Sequence, residues 1–207
     1  MVAAGPGGVP VLRGLVLAGG RSERMGQDKA ALVLGRRTLL EHAVDLVGPF
    51  VTAVHVAVRL DQVDEPLRRR FDLLPDPPGL AGPGAALMAA WRHAPEAAWL
   101  VVACDMPGLT PEVLAALIAA RDPRRGGTAW RGPDAGAPEP LCAIWEPATL
   151  ARLAAVPGLD AGRASPRALL AAANPVLLQP ARPAVLTSIN TPADLDSYLE
   201  QLHGQEP

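Results

Sequence analysis

Glycines, arginines and a lysine crowd the stretch LAGGRSERMGQDKAAL, residues 17–32. Adjacent glycines such as Gly19 and Gly20 let backbone N–H groups approach an anion where a Cβ would obstruct it. Arg21, Arg24 and Lys29 supply positive charge, and Gly26 permits a second sharp bend. A polyphosphate fits this arrangement; on composition alone, so does an ordinary connecting loop with solvated basic side chains. Spacing excludes two familiar phosphate loops. The pattern GxxxxGK[ST] is not met, because Gly26 is followed by Gln27, Asp28, Lys29 and Ala30. GxGxxG is absent as well, and GPGG at residues 5–8 precedes the first expected strand instead of following it.

A second chemical candidate is Asp105 in VVACDMPGL. A carboxylate at the carboxyl end of a strand is placed to hold Mg²⁺ over a ligand crevice. The same residue type at a strand-to-loop junction also serves as a turn or cap. Other chemistries lack material. His42, His55, His93 and His203 lie outside every motif, Cys104 and Cys142 lack zinc-ligand spacing, and no GxSxG elbow is present. Cys104 has no histidine or basic neighbour in sequence and is expected to pack, not to react.

The elements that must position these residues alternate between strand and helix. GLVLA (14–18), VTAVHVAV (51–58), FDLLP (71–75) and AWLVVA (98–103) read as strands, apolar enough for a sheet covered on both faces. Thr38 to Glu41 forms a capping-box pattern ahead of Ala43, Val44 and Val47 at helical spacing. A second helix is expected over residues 87–93. Thr110-Pro111, Ser165-Pro166 and Thr191-Pro192 mark three further helix starts, with Asp194 completing a box with Thr191. Later, GGTAW and PLCAIW read as strands, and PVLLQ or AVLTSI as a hairpin or late strand. The expectation is one α/β domain, Rossmann-like, with a mostly parallel sheet and helices on both faces. It would span residues 11–202, between a loose tail at 1–10 and a short one at 203–207.

With 207 residues and a formal net charge of −2, the chain has length for a sizeable core and no global basic field for nucleic acid or membrane. Anion binding must be local. Two cysteines far apart in sequence suit a reduced, cytoplasmic protein. No apolar run is long enough to cross a bilayer, and MVAAGPGGVP lacks the pattern of a signal peptide.

The glycine-rich stretch resembles the LAGG-x-S-x-RMG-x-DK signature of nucleotidyltransferases, and specifically that of the MobA-like molybdenum cofactor guanylyltransferases. Leu17, Ala18, Gly19, Gly20, Arg24, Met25, Gly26, Asp28 and Lys29 are in register with it. CDMPGL resembles the family's metal motif, and SINTPADL (188–195) its N-x-NTP-x-(D/E)-L ending. DPPGLAGPGAAL (76–87) is similar to the loop that reaches the nucleotide base, and PEPLCAIWEP (138–147) to a segment bordering the acceptor region. The resemblance runs from about residue 13 to 201. It implies the fold of the nucleotide-diphospho-sugar transferases and Mg²⁺-dependent transfer of GMP from GTP to the phosphate of molybdopterin or Mo-molybdopterin, with release of pyrophosphate. It assigns Leu17, Ala18, Gly19, Gly20, Lys29, Asp76, Gly82 and Asp105 to the nucleotide, and Ser188 and Asn190 to the acceptor. Lys29, Arg24 and Asp105 become the catalytic set, with Asp105 as metal ligand. Molybdenum-insertion proteins or apo-molybdoenzymes would be the protein partners.

The chain departs from that pattern in three places. Ser188 stands where an asparagine is usual, Ala86 replaces a glycine, and the second strand offers Val56 and Val58 in place of a family asparagine. Selectivity for guanine is thus the open point. A cytidylyltransferase, a transferase acting on another small phosphate, and a non-catalytic nucleotide sensor are the alternatives. The chemistry itself suits a site without a strong base. A phosphate monoester has its second pKa near 6, so at neutral pH it is already largely a dianion. Aligning two charged reactants and neutralising the charge between them is then the main task.

Overall fold

The computed structural model describes residues 8–20, 22, 24–132, 136–153, 155 and 165–203. Arg21, expected to add charge to the glycine loop, lies outside them, as do residues 1–7 and 204–207 of the expected tails. The first half of the chain alternates strand and helix. Strand β1 (Leu12–Leu17) leads into the glycine loop; β2 (Val33–Leu34) and β3 (Arg37–Thr38) form a small antiparallel ribbon; α1 (Leu39–Val47) follows. Then come β4 (Val54–Val58), β5 (Leu73–Pro75), α2 (Pro83–His93), β6 (Ala98–Ala103) and α3 (Pro111–Ala119). The second half comprises β7 (Gly127–Arg131), β8 (Pro138–Trp145), α4 (Pro147–Leu153), α5 (Pro166–Ala172), β9 (Val176–Leu178) and α6 (Pro192–His203).

Seven strands form one sheet in the order β5-β4-β1-β6-β8-β7-β9. Only β8 opposes the rest: it pairs antiparallel with β6 and β7, while β1, β4, β5 and β6 are mutually parallel and β9 is parallel to β7. Helices cover both faces. Val16, Val56, Leu100, Val102 and Ile144 pack with Leu40 and Val47 of α1 and Leu114 and Leu117 of α3. Leu15, Trp99, Val101, Ala143 and Trp145 pack on the other face with α2, α4 and α5, through Leu87, Leu150 and Leu170. Burial on both faces explains why β6 is apolar at every position.

Helix α1 begins as its sequence dictates. Thr38 Oγ1 accepts from the Glu41 N–H at 3.2 Å, and Glu41 Oε2 accepts from the Thr38 N–H at 2.8 Å. Asp194 and Thr191 make the equivalent exchange at α6, at 2.8 and 3.2 Å. Ser165 caps α5, but Thr110 makes no side-chain cap at α3. Helix α2 starts at Pro83, four residues before the expected position. Its first turns, Gly84, Ala85 and Ala86, are small and buried, so they present no apolar–polar period to read. PVLLQ contributes β9, whereas AVLTSI is not a strand. Residues Pro183–Leu186 form a 3-10 turn set by the proline in its first positions, and the Ile189 N–H is used by the Asp105 carbonyl at 2.8 Å. Among the described residues no helix is long and apolar enough to cross a membrane.

Candidate active site

The chain leaves β1 toward β4 and β5 on one side and returns to β6 on the other, so the strand order reverses beside β1. In parallel α/β sheets the carboxyl edge at such a reversal is open, and ligands bind there. Here the edge is drawn level by two bonds: Cys104 N–H to the Leu17 carbonyl at 3.1 Å, and Ala18 N–H to the Ala57 carbonyl at 3.0 Å. A cavity of about 620 Å³ lies above it, a volume typical of small-molecule sites. Leu17, Ala18, Gly19, Gly20, Arg24, Lys29, Asp76, Gly82, Asp105, Ser188 and Asn190 all line this one cavity. Residues from four separate segments, 17–29, 76–82, 105 and 188–190, thus converge on one place.

The glycine loop closes over a 3-10 turn, Lys29–Ala31, capped by Asp28 through the Ala30 N–H at 3.2 Å. Ser22 Oγ accepts from the Lys29 N–H at 3.1 Å, and the Ser22 carbonyl accepts from Met25 and Gly26. Gly26 has φ +70°, the left-handed bend its residue type permits. Gly19 and Gly20 differ in purpose. A Cβ on Gly19 would lie 3.3 Å from the Arg59 backbone nitrogen, so its smallness admits the end of β4; a Cβ on Gly20 would meet open space.

Lys29 is the hub of the polar wall. Its Nζ donates to Asp105 Oδ2 at 2.9 Å and to Asn190 Oδ1 at 2.8 Å, and Arg24 Nη2 donates to the same amide oxygen at 3.3 Å. Asn190 is held by its own backbone N–H on Asp194 at 2.8 Å, which makes the start of α6 a wall of the site. Asp105 and Lys29 remain partly accessible, with side-chain exposures of 20% and 16%, so an incoming anion and cation can reach them.

Asp76 stands after β5 and Asp105 after β6, three strand positions apart in the sheet. At roughly 4.8 Å per strand this separates them by about 14 Å, enough to place the two ends of a nucleotide against different carboxylates. Burial pushes the Asp76 carboxyl up to about 6, partly opposed by the Arg59 cation. Cys104, fully buried, is pushed up to about 12 by burial and by the carboxylates of Asp105 and Asp28, and so packs as expected. Glu139 is buried beside Leu141 of the cavity wall. It accepts from the Leu141 N–H at 3.0 Å and from Arg167 at 3.4 Å, and burial raises its pKa.

Among the described residues no three histidine, cysteine or carboxylate side chains cluster as a metal cage. Asp105, beside Lys29 at the glycine-loop side of the cavity, suits Mg²⁺, which binds through one or two carboxylates together with phosphates and water. Asp28 is unsuited to share it, being engaged at both oxygens by Arg68.

Among the residues that no motif singled out are Ala57, in the cavity wall, and Arg68, beneath the loop. Val56 and Val58 do not face the cavity: both are buried in the core, and Ala57 between them lines the site. Strand alternation could have revealed this once the covered faces were known. Arg68, in the basic run Arg68–Arg70, belongs to no motif and is wholly buried.

Residues 14–176 match the MobA-like NTP transferase domain, and the chain belongs to that family. It is 28% identical over 183 residues to a molybdenum cofactor biosynthesis bifunctional protein of Synechocystis sp., covering 88% of this chain and 52% of that protein. It is 36% identical over 137 residues to a molybdenum cofactor guanylyltransferase of Rhizobium meliloti, covering 63% and 62%. The chain thus spans between half and two thirds of the length of these two relatives. In three dimensions it superimposes on molybdopterin-guanine dinucleotide biosynthesis protein A from Archaeoglobus fulgidus with a TM-score of 0.76 and 25% identity, covering 93% of this chain and 100% of that one.

Proposed function

We propose that the chain transfers GMP from GTP to the terminal phosphate of molybdopterin or Mo-molybdopterin, forming the guanine dinucleotide and pyrophosphate. One observation carries this reading. Lys29, tied to both Asp105 and Asn190, stands where the glycine loop, the end of β6 and the start of α6 meet on one cavity. Gly20 and Lys29 receive the phosphates, and Asp105 would hold Mg²⁺. That ion, when bound, screens the negative charge of the triphosphate and of the departing pyrophosphate. An oxygen of the acceptor phosphate forms a bond to the α-phosphorus, and the bond from the α-phosphorus to the bridging β-phosphate oxygen breaks. Lys29 and Arg24 neutralise the pyrophosphate as it leaves, while Ser188 and Asn190 orient the acceptor. No general base is required, since the attacking group is already an anion.

At the far end, Asp76 is the group suited to the base. Guanine presents an N–H and an amino group side by side, and an ionised carboxylate accepts from both; cytosine offers only its amino group on the corresponding edge. The relatives' names support the molybdenum cofactor as the acceptor's class. Pyrophosphate release measured with each nucleoside triphosphate and molybdopterin on a carrier tests the proposal. GTP should support turnover, and Asp105→Ala should lower it by orders of magnitude. Turnover with CTP alone would overturn the base assignment, and normal turnover of Asp105→Ala would remove that residue from the mechanism.

A further inference from the structure

The phosphate loop is anchored from beneath by a residue outside it. Arg68 belongs to a 3-10 turn between β4 and β5, far from the loop in sequence, and is 0% exposed. Its Nη2 donates to the Ala18 carbonyl at 2.7 Å, the last residue before Gly19. Nη1 and Nη2 also donate to Asp28 Oδ2 and Oδ1 at 2.7 and 3.0 Å, the last residue before Lys29. Glu65, three residues earlier, pairs with Nη1. One rigid, planar guanidinium therefore grips both ends of the segment 19–28.

We infer that Arg68 is the positioning residue of the nucleotide loop, setting where Gly19, Gly20 and Lys29 stand relative to the phosphates. Two physical effects follow from the grip. A trans peptide points its carbonyl and N–H in opposite directions. Holding the Ala18 carbonyl onto Arg68 therefore turns the Gly19 N–H away from the buried cation. Second, Asp28 adjoins Lys29 and is the nearest carboxylate in sequence. With both its oxygens engaged by Arg68, Asp28 does not compete for the ammonium, and Lys29 reaches Asp105 and Asn190 instead. Lysine in place of Arg68 would be a point charge that cannot bridge a carboxylate and a carbonyl in one plane.

The inference rests on the nucleotide reading of the cavity, and its test separates the two. Arg68→Lys and Asp28→Asn are compared with the parent by hydrogen exchange without nucleotide, and by GTP titration and steady-state kinetics with Mg²⁺. Expected in both variants is about tenfold faster exchange of the amides of Gly19, Gly20, Ser22 and residues 24–28, with β6 as protected as in the parent. The KM for GTP should rise by about tenfold or more, and the double variant should lose no more than either single one, because the two groups form one unit. Asp28→Asn keeps the oxygen that caps Ala30, so it carries the test even if Arg68→Lys does not fold. Parent-like loop exchange and KM would overturn the inference. So would faster exchange spread evenly over β6 with KM unchanged, the signature of a purely structural arginine. A parent protein that binds no GTP would instead sink the nucleotide reading, while the exchange pattern still decides whether Arg68 holds the loop.

Discussion

At the scale of the residue, the proposed role of Asp76 at the base couples recognition to stability. Only 8% exposed, its carboxyl is pushed up to about 6 by burial. The folded state therefore holds the Asp76 proton more tightly than the unfolded chain does. The resulting stabilisation is fully present below about pH 4 and is lost as pH rises toward 6. Above that range the ionised, buried carboxylate costs about 2–3 kcal/mol, at 1.36 kcal/mol per pKa unit. Asp76→Asn should then be more stable than the parent at pH 8 and match it at pH 4, as read from urea unfolding midpoints at each pH. The same change should erode discrimination for guanine, since an amide replaces one of the carboxylate's two accepting oxygens with an NH2 donor that faces a donor of the base. A parent more stable than the variant at pH 8 would mean that a partner compensates the charge.

Among the elements, α1 shows how local chemistry can be read from sequence and still serve the site. Its capping box holds the helix start, and Glu41 takes a further bond from Arg70 at 2.7 Å, two residues from the buried Arg68. Thr38→Ala should lower stability by about 1 kcal/mol, the usual cost of losing such a cap. The denaturant midpoint should fall with an unchanged slope, and GTP affinity should be preserved because Arg68 keeps its own contacts. The capping boxes of α1 and α6 and the strands β1, β4, β5 and β6 were legible because each signal lies within a few residues, whereas the short ribbon of β2 and β3 was not read. Helix α2 was legible only in its second half. Its buried alanines carry no polar face, and the start was set by packing against the sheet.

Across the whole molecule, the cavity is the meeting place of segments from Leu17 to Asn190. A ligand bound there bridges the ends of β1, β4, β5 and β6 and the start of α6, so binding and folding are linked. Mg²⁺ with GTP at about a hundred times its Kd should stabilise the fold by about 2.7 kcal/mol. For a chain of this size that corresponds to a melting temperature roughly 5–10 °C higher. Asp105→Ala should abolish most of the shift seen by calorimetry, and an undiminished shift would place the nucleotide elsewhere.

What the amino-acid sequence determined by itself is the loop, the strand–helix alternation and the residues of the cavity wall. These depend on short-range patterns: adjacent glycines, apolar runs, and hydroxyl–carboxylate pairs three residues apart. The tertiary structure alone decided that Ala57 and not its valine neighbours faces the cavity, since a strand's two faces are distinguished only by what packs on them. It also decided that Arg68 lies beneath the loop while Arg69 and Arg70 next to it stay exposed. A buried guanidinium is tolerated when its charge is paired and most of its N–H groups are bonded; Nη1 and Nη2 meet Asp28 and Ala18, brought to them by the chain's return through β4, while Nε has no partner among the described residues.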